Sequence, residues 1–355
     1  MKVLIRCDSG HHIGIGHLIR CLNLARELSS GGHEIIFLVR NHVGQRTELL
    51  KNQFEYHLLD GGVSSGQSVL TNYSEWLGVP VEKEIEDIQE FVEQYGPFEL
   101  IVFDHYGIDI TVEKHFSSSK LLVIDDLMNR MHCCDYLLDQ NPTANEHTYR
   151  RLVTKGNCSF FLGLDYAIIN KSFLRYRKST PRVVESVANV LVFFGASDIS
   201  NETKKVLDAC LTVDCKLQVE FILDSSHQDY SYVAEQCSRN PSYVLHEFVD
   251  DMAEKIFYCD VFFGASGSSS WERAVLSCPS FVVMIAENQE PIGRFLDEHK
   301  VAMVLGSGRD TSSESWVEAL SQLDDIELLN DFSENSFRLC NGLGVTALVE
   351  GMNLA

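Results

Sequence analysis

The segment KVLIRCDSGHHIGIGHLIRCLNLARELSSGG, residues 2–32, decides the fold. It opens on Val3, Leu4 and Ile5, an apolar run of strand length. A turn carrying Gly10, Gly14 and Gly16 follows. Leu18, Cys21, Leu22, Ala25 and Leu28 then recur at helical spacing until Ser29-Ser30-Gly31-Gly32 stops the pattern. A strand, a glycine turn and a helix in that order open a parallel sheet covered on both faces.

Working outward, runs rich in Val, Ile, Leu and Phe continue the alternation at 34–39, 100–103, 121–124 and 136–138. The stretch 171–186 breaks it with Arg175, Arg177, Lys178, Pro181 and Arg182, and reads as a linker. The alternation restarts at 189–194, 217–223, 243–246, 261–263 and 281–285. The fold class is therefore α/β, with two doubly wound parallel-sheet domains facing each other, expected over 1–178 and 179–355. A chain of 355 residues is long enough for two cores. Such sheets bind ligands beyond the carboxyl ends of their strands, so the cleft between the halves is the expected site.

The net charge of −22 is unevenly spread: residues 1–180 carry 18 Lys and Arg against 23 Asp and Glu, residues 181–355 carry 11 against 28. A polyanion such as nucleic acid would be repelled. Any phosphate held by the second half must rest on backbone N–H groups rather than a cationic cluster. The 11 cysteines form no C-x-x-C pair, and the amino terminus lacks a signal-peptide core. No apolar stretch nears the roughly 20 residues of a membrane span. Reduced thiols and a cytoplasmic location are expected; the oligomeric state is left open.

Three constellations carry chemistry. In the first, the glycine turn lacks a third glycine, Ile19 standing there, and the second strand ends in Val39-Arg40-Asn41 without a ribose-binding acid, which disfavours a dinucleotide. His17 at the helix start suits a general base, with a packed or capping histidine as the alternative. His11 and His12 are adjacent and point to different sides, which disfavours a metal. In the second, Phe103-Asp104-His105-Tyr106-Gly107 ends a buried strand; Asp104 either caps a turn or acts in catalysis. Asp125 and Asp126 repeat that arrangement after the next strand, to orient polar groups or to form an Asx-turn.

The third is Gly264-Ala265-Ser266-Gly267-Ser268-Ser269-Ser270-Trp271-Glu272, a strand end, a small-residue loop and a helix start. It suits a diphosphate on free N–H groups with Glu272 on a ribose; Ser269 to Glu272 also fits a capping box. Gly195-Ala196-Ser197-Asp198 forms a second small loop, a ligand contact or only a turn. Glu287-Asn288-Gln289 either meets sugar hydroxyls and amides or caps the next helix. No G-x-x-x-x-G-K-[ST], H-E-x-x-H or Asp-x-Asp pattern occurs, so chemistry without metal or cofactor is expected.

Taken in order, Asp8-Ser9 with IGIGHLIR at 13–20, FDHYG at 103–107, IDD at 124–126, LLDQN at 137–141, GLDYA at 163–167, GSSSWE at 267–272 and ENQ at 287–289 resemble the PseG family. These are UDP-2,4-diacetamido-2,4,6-trideoxy-β-L-altropyranose hydrolases of bacterial pseudaminic acid biosynthesis, similar in turn to MurG-type GT-B glycosyltransferases. The resemblance implies a GT-B-like, metal-independent hydrolase that cleaves UDP from its sugar with inversion at C1. His17 would be the base, with Asp8, Gly14, Gly16, Arg20, Tyr106, Asn288 and Gln289 on the sugar side. Gly267, Ser268, Ser269, Ser270 and Glu272 would hold the nucleotide. A GT-B glycosyltransferase and a non-catalytic UDP-sugar-binding subunit are the alternatives.

Overall fold

The computed structural model describes residues 1–62, 73–195 and 198–354. The chain divides into two compact units, Met1–Ile168 with Leu343–Ala355, and Ile169–Gly342.

The first unit runs β1 (Lys2–Cys7), α1 (Gly16–Ser30), β2 (Glu34–Arg40), β3 (Glu55–Leu59), α2 (Val81–Tyr95), β4 (Leu100–Asp104), α3 (Ile110–Glu113), β5 (Lys120–Ile124), β6 (Tyr136–Asp139), α4 (Glu146–Leu152) and β7 (Ser159–Leu162). Its described strands form one parallel sheet in the order β3-β2-β1-β4-β5-β6-β7. Side chains alternate across it: Val3 and Ile5 join Leu18, Leu22 and Ala25 of α1, while Leu4 joins Ile88 and Phe91 of α2 on the other face. Burial on both faces is why these strands read as unbroken apolar runs.

The second unit runs β8 (Asn189–Phe193), α5 (Glu202–Thr212), β9 (Gln218–Ile222), α6 (Tyr230–Arg239), β10 (Tyr243–His246), α7 (Met252–Tyr258), β11 (Val261–Ala265), α8 (Ser269–Val275), β12 (Ser280–Met284), α9 (Glu290–Glu298), β13 (Met303–Ser307), α10 (Ser313–Ser321) and α11 (Ile326–Leu339). Its parallel sheet has the order β10-β9-β8-β11-β12-β13. Phe194, Phe263, Phe281 and Trp316 lie at the centre of its core. Among the described residues no helix is long and apolar enough to cross a membrane.

Two sequence expectations change here. The strands not expected from sequence, β3, β7 and β13, are all sheet edges and only partly buried, and β3 has its apolar residues interrupted by His57. The division also differs from a cut between 178 and 179, because the last helix, α12 (Gly344–Gly351), belongs to the first unit. Val345, Leu348 and Met352 join the α1 side of its core, the Tyr136 hydroxyl donates to Met352 O at 3.0 Å, and the Thr346 hydroxyl donates to Glu27 Oε1 at 2.9 Å. Leu348 is fully buried, so Leu348→Ala is expected to cost about 2–5 kcal/mol, read as an earlier denaturant midpoint with unchanged slope.

Candidate functional site

The strand order of the first sheet reverses between β1 and β4, which places the carboxyl ends of these two strands side by side at a topological switch point. Beyond β1, the Gly10 N–H donates to Gly14 O at 3.2 Å and the Gly14 N–H donates to Gly10 O at 2.7 Å. That closed loop needs Gly14 at φ +77°, a left-handed conformation open to glycine at no steric cost. It delivers the chain to Gly16, the exposed first residue of α1, and so sets His17 on the first turn.

His17 is buried except for 7% of its side chain. Its Nδ1 lies 2.7 Å from Oδ1 of Asp104, the last residue of β4, which has no exposed surface. A carboxylate accepts only, so Nδ1 carries a proton, and in the neutral ring Nε2 is then the nitrogen that holds the lone pair. Among the described residues Nε2 has no hydrogen-bond partner. Arg20, one turn along α1, donates to both Asp104 oxygens, Nε to Oδ2 at 2.9 Å and Nη2 to Oδ1 at 2.6 Å. Burial alone would raise the Asp104 pKa, but the charge of Arg20 and the contact with His17 hold it well below the usual carboxylate range. Asp104 is thus ionised, fixed on both sides, and aimed at the imidazole.

An aromatic wall completes this side. Tyr106 meets the His17 ring edge-on at 4.6 Å, and Trp76 meets it at 6.3 Å and Tyr106 at 5.3 Å. Arg130 donates to Tyr106 O and lies over its ring at 5.7 Å. Asp125 and Asp126, at the end of β5, hold the two flanks: Asp125 pairs with Arg130, while Asp126 Oδ2 accepts from Arg20 Nη1 at 3.2 Å.

The structure therefore places His17, Arg20 and Tyr106 side by side, with the Asp104 carboxylate between His17 and Arg20. Arg20 has both ends of its guanidinium committed to carboxylates, which suits it to holding the dyad rather than a substrate. Asp8 differs from its expected place. Its carboxylate is wholly enclosed, taking Arg6 Nη1 at 2.5 Å and the Arg40 backbone N–H at 2.6 Å, with His42 and His105 each at 3.3 Å. It presents no surface to a ligand and anchors the loop from below. His12 packs against His42 and Trp76, and burial together with the His42 charge pushes its pKa down to about 4.

In the second unit the order reverses between β8 and β11. Gly264 of β11 packs so closely that a Cβ there would sit 2.6 Å from Phe193 O of β8. The loop after β11 then starts α8 without a side-chain cap, so the capping-box alternative does not form. Instead Arg273 reaches back, donating to Ser269 Oγ at 3.0 Å, Ser270 Oγ at 2.8 Å and Ala265 O at 3.0 Å. Among the described residues the backbone N–H groups of Gly267, Ser268 and Ser269 have no protein acceptor, and Ser266 Oγ is buried without a partner.

Gln289 lies against this loop, its amide 3.3 Å from where a Gly267 Cβ would stand, and its Oε1 accepts from the Ile285 N–H at 3.0 Å. Asn288 sits beside it on an exposed turn, Glu287–Gln289. Glu272 is half-buried, and desolvation pushes its pKa up to about 7 against the opposing charge of Arg273. Of the loop after β8, Ala196 and Ser197 lie outside the described residues.

No protein-family model matches the chain. An uncharacterised protein from Methanocaldococcus jannaschii is 23% identical over 298 residues, 81% of this chain. The UDP-2,4-diacetamido-2,4,6-trideoxy-β-L-altropyranose hydrolase of Campylobacter jejuni is 30% identical over 207 residues, 57% of this chain. These matches take in 56% and 62% of those relatives' own lengths. The spore coat polysaccharide biosynthesis protein SpsG of Bacillus subtilis is 26% identical over 100% of this chain and 96% of its own.

Among solved structures, MurG of Acinetobacter baumannii superposes at TM-score 0.65 with 13% identity, over 100% of both chains. UGT89C1 of Arabidopsis thaliana, complexed with UDP, superposes at TM-score 0.66 with 13% identity, over 99% of this chain and 100% of its own. The two parallel α/β sheets thus make up a GT-B-like fold, on a chain distantly homologous to the Campylobacter hydrolase and to SpsG.

Proposed function

We propose that the protein is a nucleotide-sugar hydrolase that cleaves UDP from UDP-2,4-diacetamido-2,4,6-trideoxy-β-L-altropyranose or a close relative of that sugar. The observation that carries this reading is the setting of His17: Nδ1 is tied to an ionised, buried carboxylate, and Nε2, which holds the lone pair of the neutral ring, has no hydrogen-bond partner among the described residues. Such a ring takes a proton from water, and Asp104 stabilises the imidazolium that results. The homology to the Campylobacter hydrolase supports the choice of substrate.

The reaction then needs few parts. As Nε2 removes a proton, the water oxygen bonds to C1 from the face opposite UDP. The bond between C1 and the UDP oxygen breaks with its electron pair going to UDP, so the configuration at C1 inverts. The uncapped N–H groups of Gly267, Ser268 and Ser269 and the Ser266 hydroxyl are the groups of the second unit suited to a diphosphate, in a half that is poor in cations. Glu272 is assigned to the ribose hydroxyls, and Asn288 and Gln289 to polar groups of the sugar.

The test is incubation of the purified protein with a panel of UDP-diacetamido-trideoxyhexoses without an acceptor. UDP and free sugar in equal amounts support hydrolysis. Turnover only when a sugar or lipid alcohol is added would instead make it a transferase, and inertness on every member would leave a binding subunit.

A further inference from the structure

Tyr149 of α4 stands between two carboxylates, its hydroxyl oxygen 3.0 Å from Asp125 Oδ2 and 2.9 Å from Asp139 Oδ2, with all three groups buried. A phenol has one proton to donate, and an ionised carboxylate has none. Two acceptors at hydrogen-bond distance therefore require a second proton, which one of the two acids must carry. Asp125 is the wrong candidate: it pairs with Arg130, accepts the Met128 N–H at 3.1 Å, and faces His132 Nε2 at 3.7 Å. Burial is outweighed there, and its pKa is held well below the usual range.

Among the described residues no cationic side chain pairs with Asp139, at the end of β6. It accepts the Asn141 N–H at 2.9 Å and otherwise meets Tyr149 and the negative charges of Asp126 and Asp125 at the end of β5. Desolvation, reinforced by those two charges, pushes its pKa up to about 7. His132, with Nδ1 held by Glu113 at 2.7 Å, and Arg130 serve Asp125 instead.

We propose that Asp139 holds a proton in the folded protein, completing a one-way chain in which Asp139 donates to Tyr149 and Tyr149 donates to Asp125, and that this chain positions the wall beside His17. Asp125 grips Arg130, Arg130 grips the carbonyl of Tyr106, and Tyr106 packs on the His17 ring. Loss of the proton places a third negative charge against Asp125 and Asp126 and leaves Tyr149 able to satisfy only one acid. Asp139 is a positioning residue, five contacts from the His17 ring. Its effect on turnover rests on the hydrolase reading; its proton does not.

Two readouts separate these statements. A carboxyl whose pKa is raised on folding binds a proton that the unfolded chain releases, so the stability it contributes is complete below about pH 4 and is lost as pH rises through about 7. Between pH 5 and 8 the thermal midpoint of the wild type should therefore fall relative to that of Asp139→Asn, whose amide donates to Tyr149 at every pH. The infrared band of a protonated carboxylic acid, present in the wild type at pH 6, should be weaker in the variant. Parallel midpoint curves and an unchanged band would overturn the proton assignment.

With UDP-2,4-diacetamido-trideoxyhexose as probe, wild-type kcat should fall roughly fivefold from pH 6.5 to 8.5 relative to the variant, with KM little changed. Divergent midpoints with superimposable kcat profiles would overturn the positioning role alone. Absence of turnover in both proteins would reject the hydrolase reading and, with it, that positioning role, while the midpoint comparison still decides the proton.

Discussion

Asp104→Asn should lower kcat on the UDP-sugar about 10²- to 10⁴-fold, while nucleotide affinity stays within a small factor of the wild type. The cause is the loss of a charged acceptor for one proton. Arg20 donates to both Asp104 oxygens and His17 shares Oδ1 with it, so the NH₂ of an asparagine meets a donor whichever way the amide turns. With the NH₂ in the place of Oδ1, Nδ1 must accept, the ring proton moves to Nε2, and the atom that should take a proton from water already has one; with the oxygen there, the imidazolium that forms has lost the negative charge that stabilises it. The same loss follows from His17→Ala by simple removal of the base, at about 3–5 kcal/mol of transition-state stabilisation. The asparagine variant is the more informative of the two because the imidazole is still present. Unimpaired kcat would show that the orientation of the ring is irrelevant.

Glu84→Ala should be the most damaging substitution for stability among the buried ion pairs of the first unit. Glu84 of α2, fully enclosed, takes Arg6 Nε at 2.7 Å on one oxygen and Arg40 Nη2 on the other, and neither arginine reaches solvent. Asp8 also pairs with Arg6, and Asp87 with Arg40 Nη2 at 2.9 Å, so among the described residues Glu84 is the carboxylate that joins the two buried guanidinium groups. Breaking a buried ionic network by deleting one partner typically costs about 3–5 kcal/mol, because the buried charges left behind lose part of their compensation. For a unit of this size that is a fall in the melting temperature on the order of 10 °C, measurable by calorimetry. The effect should extend to the loop of His17, since Asp8 leans on the same arginine. A change within 1 °C would mean that water reaches these groups and that the network is not the anchor described. In the folded protein the two arginines outweigh burial and lower the Glu84 pKa, so the contribution is present at neutral pH and lost as pH falls below the carboxylate range.

The residues differ in how legible they are from sequence. The interior strands are plain, because burial on both faces leaves continuous apolar runs such as Leu100 to Phe103. The edges β3, β7 and β13 are less plain: Glu55 and His57 break the apolar pattern of β3, and β7 and β13 offer only short runs, Phe160 to Leu162 and Met303 to Leu305. The placement of α12 cannot be read from order along the chain: Leu348 is apolar whichever core receives it. His17 is legible from its seat after a glycine turn, but its partner is 87 positions away and becomes visible only when β1 and β4 pair in register, Cys7 beside Asp104. Glu84 looks like one of many acids on a solvated helix, EKEIEDIQE, and nothing local marks it as buried. Trp76 carries no signal as a neighbour of the histidine, lying in a short turn before α2. In the second unit the S-x-x-E spacing invites a capping box, and only the position of Arg273 shows that the serines are held otherwise.

The central claim is that His17 makes a nucleophile of water at the anomeric carbon. Its most direct measurement is turnover of UDP-2,4-diacetamido-trideoxyhexose in heavy-oxygen water, followed by mass spectrometry of both products and NMR of the freshly released anomer, for the wild type and His17→Ala. The account predicts that the wild type places the label on C1 of the sugar with inverted configuration and none in UDP, and that the variant forms almost no product. Label in the β-phosphate of UDP, or a variant that releases labelled sugar at the wild-type rate, would contradict it.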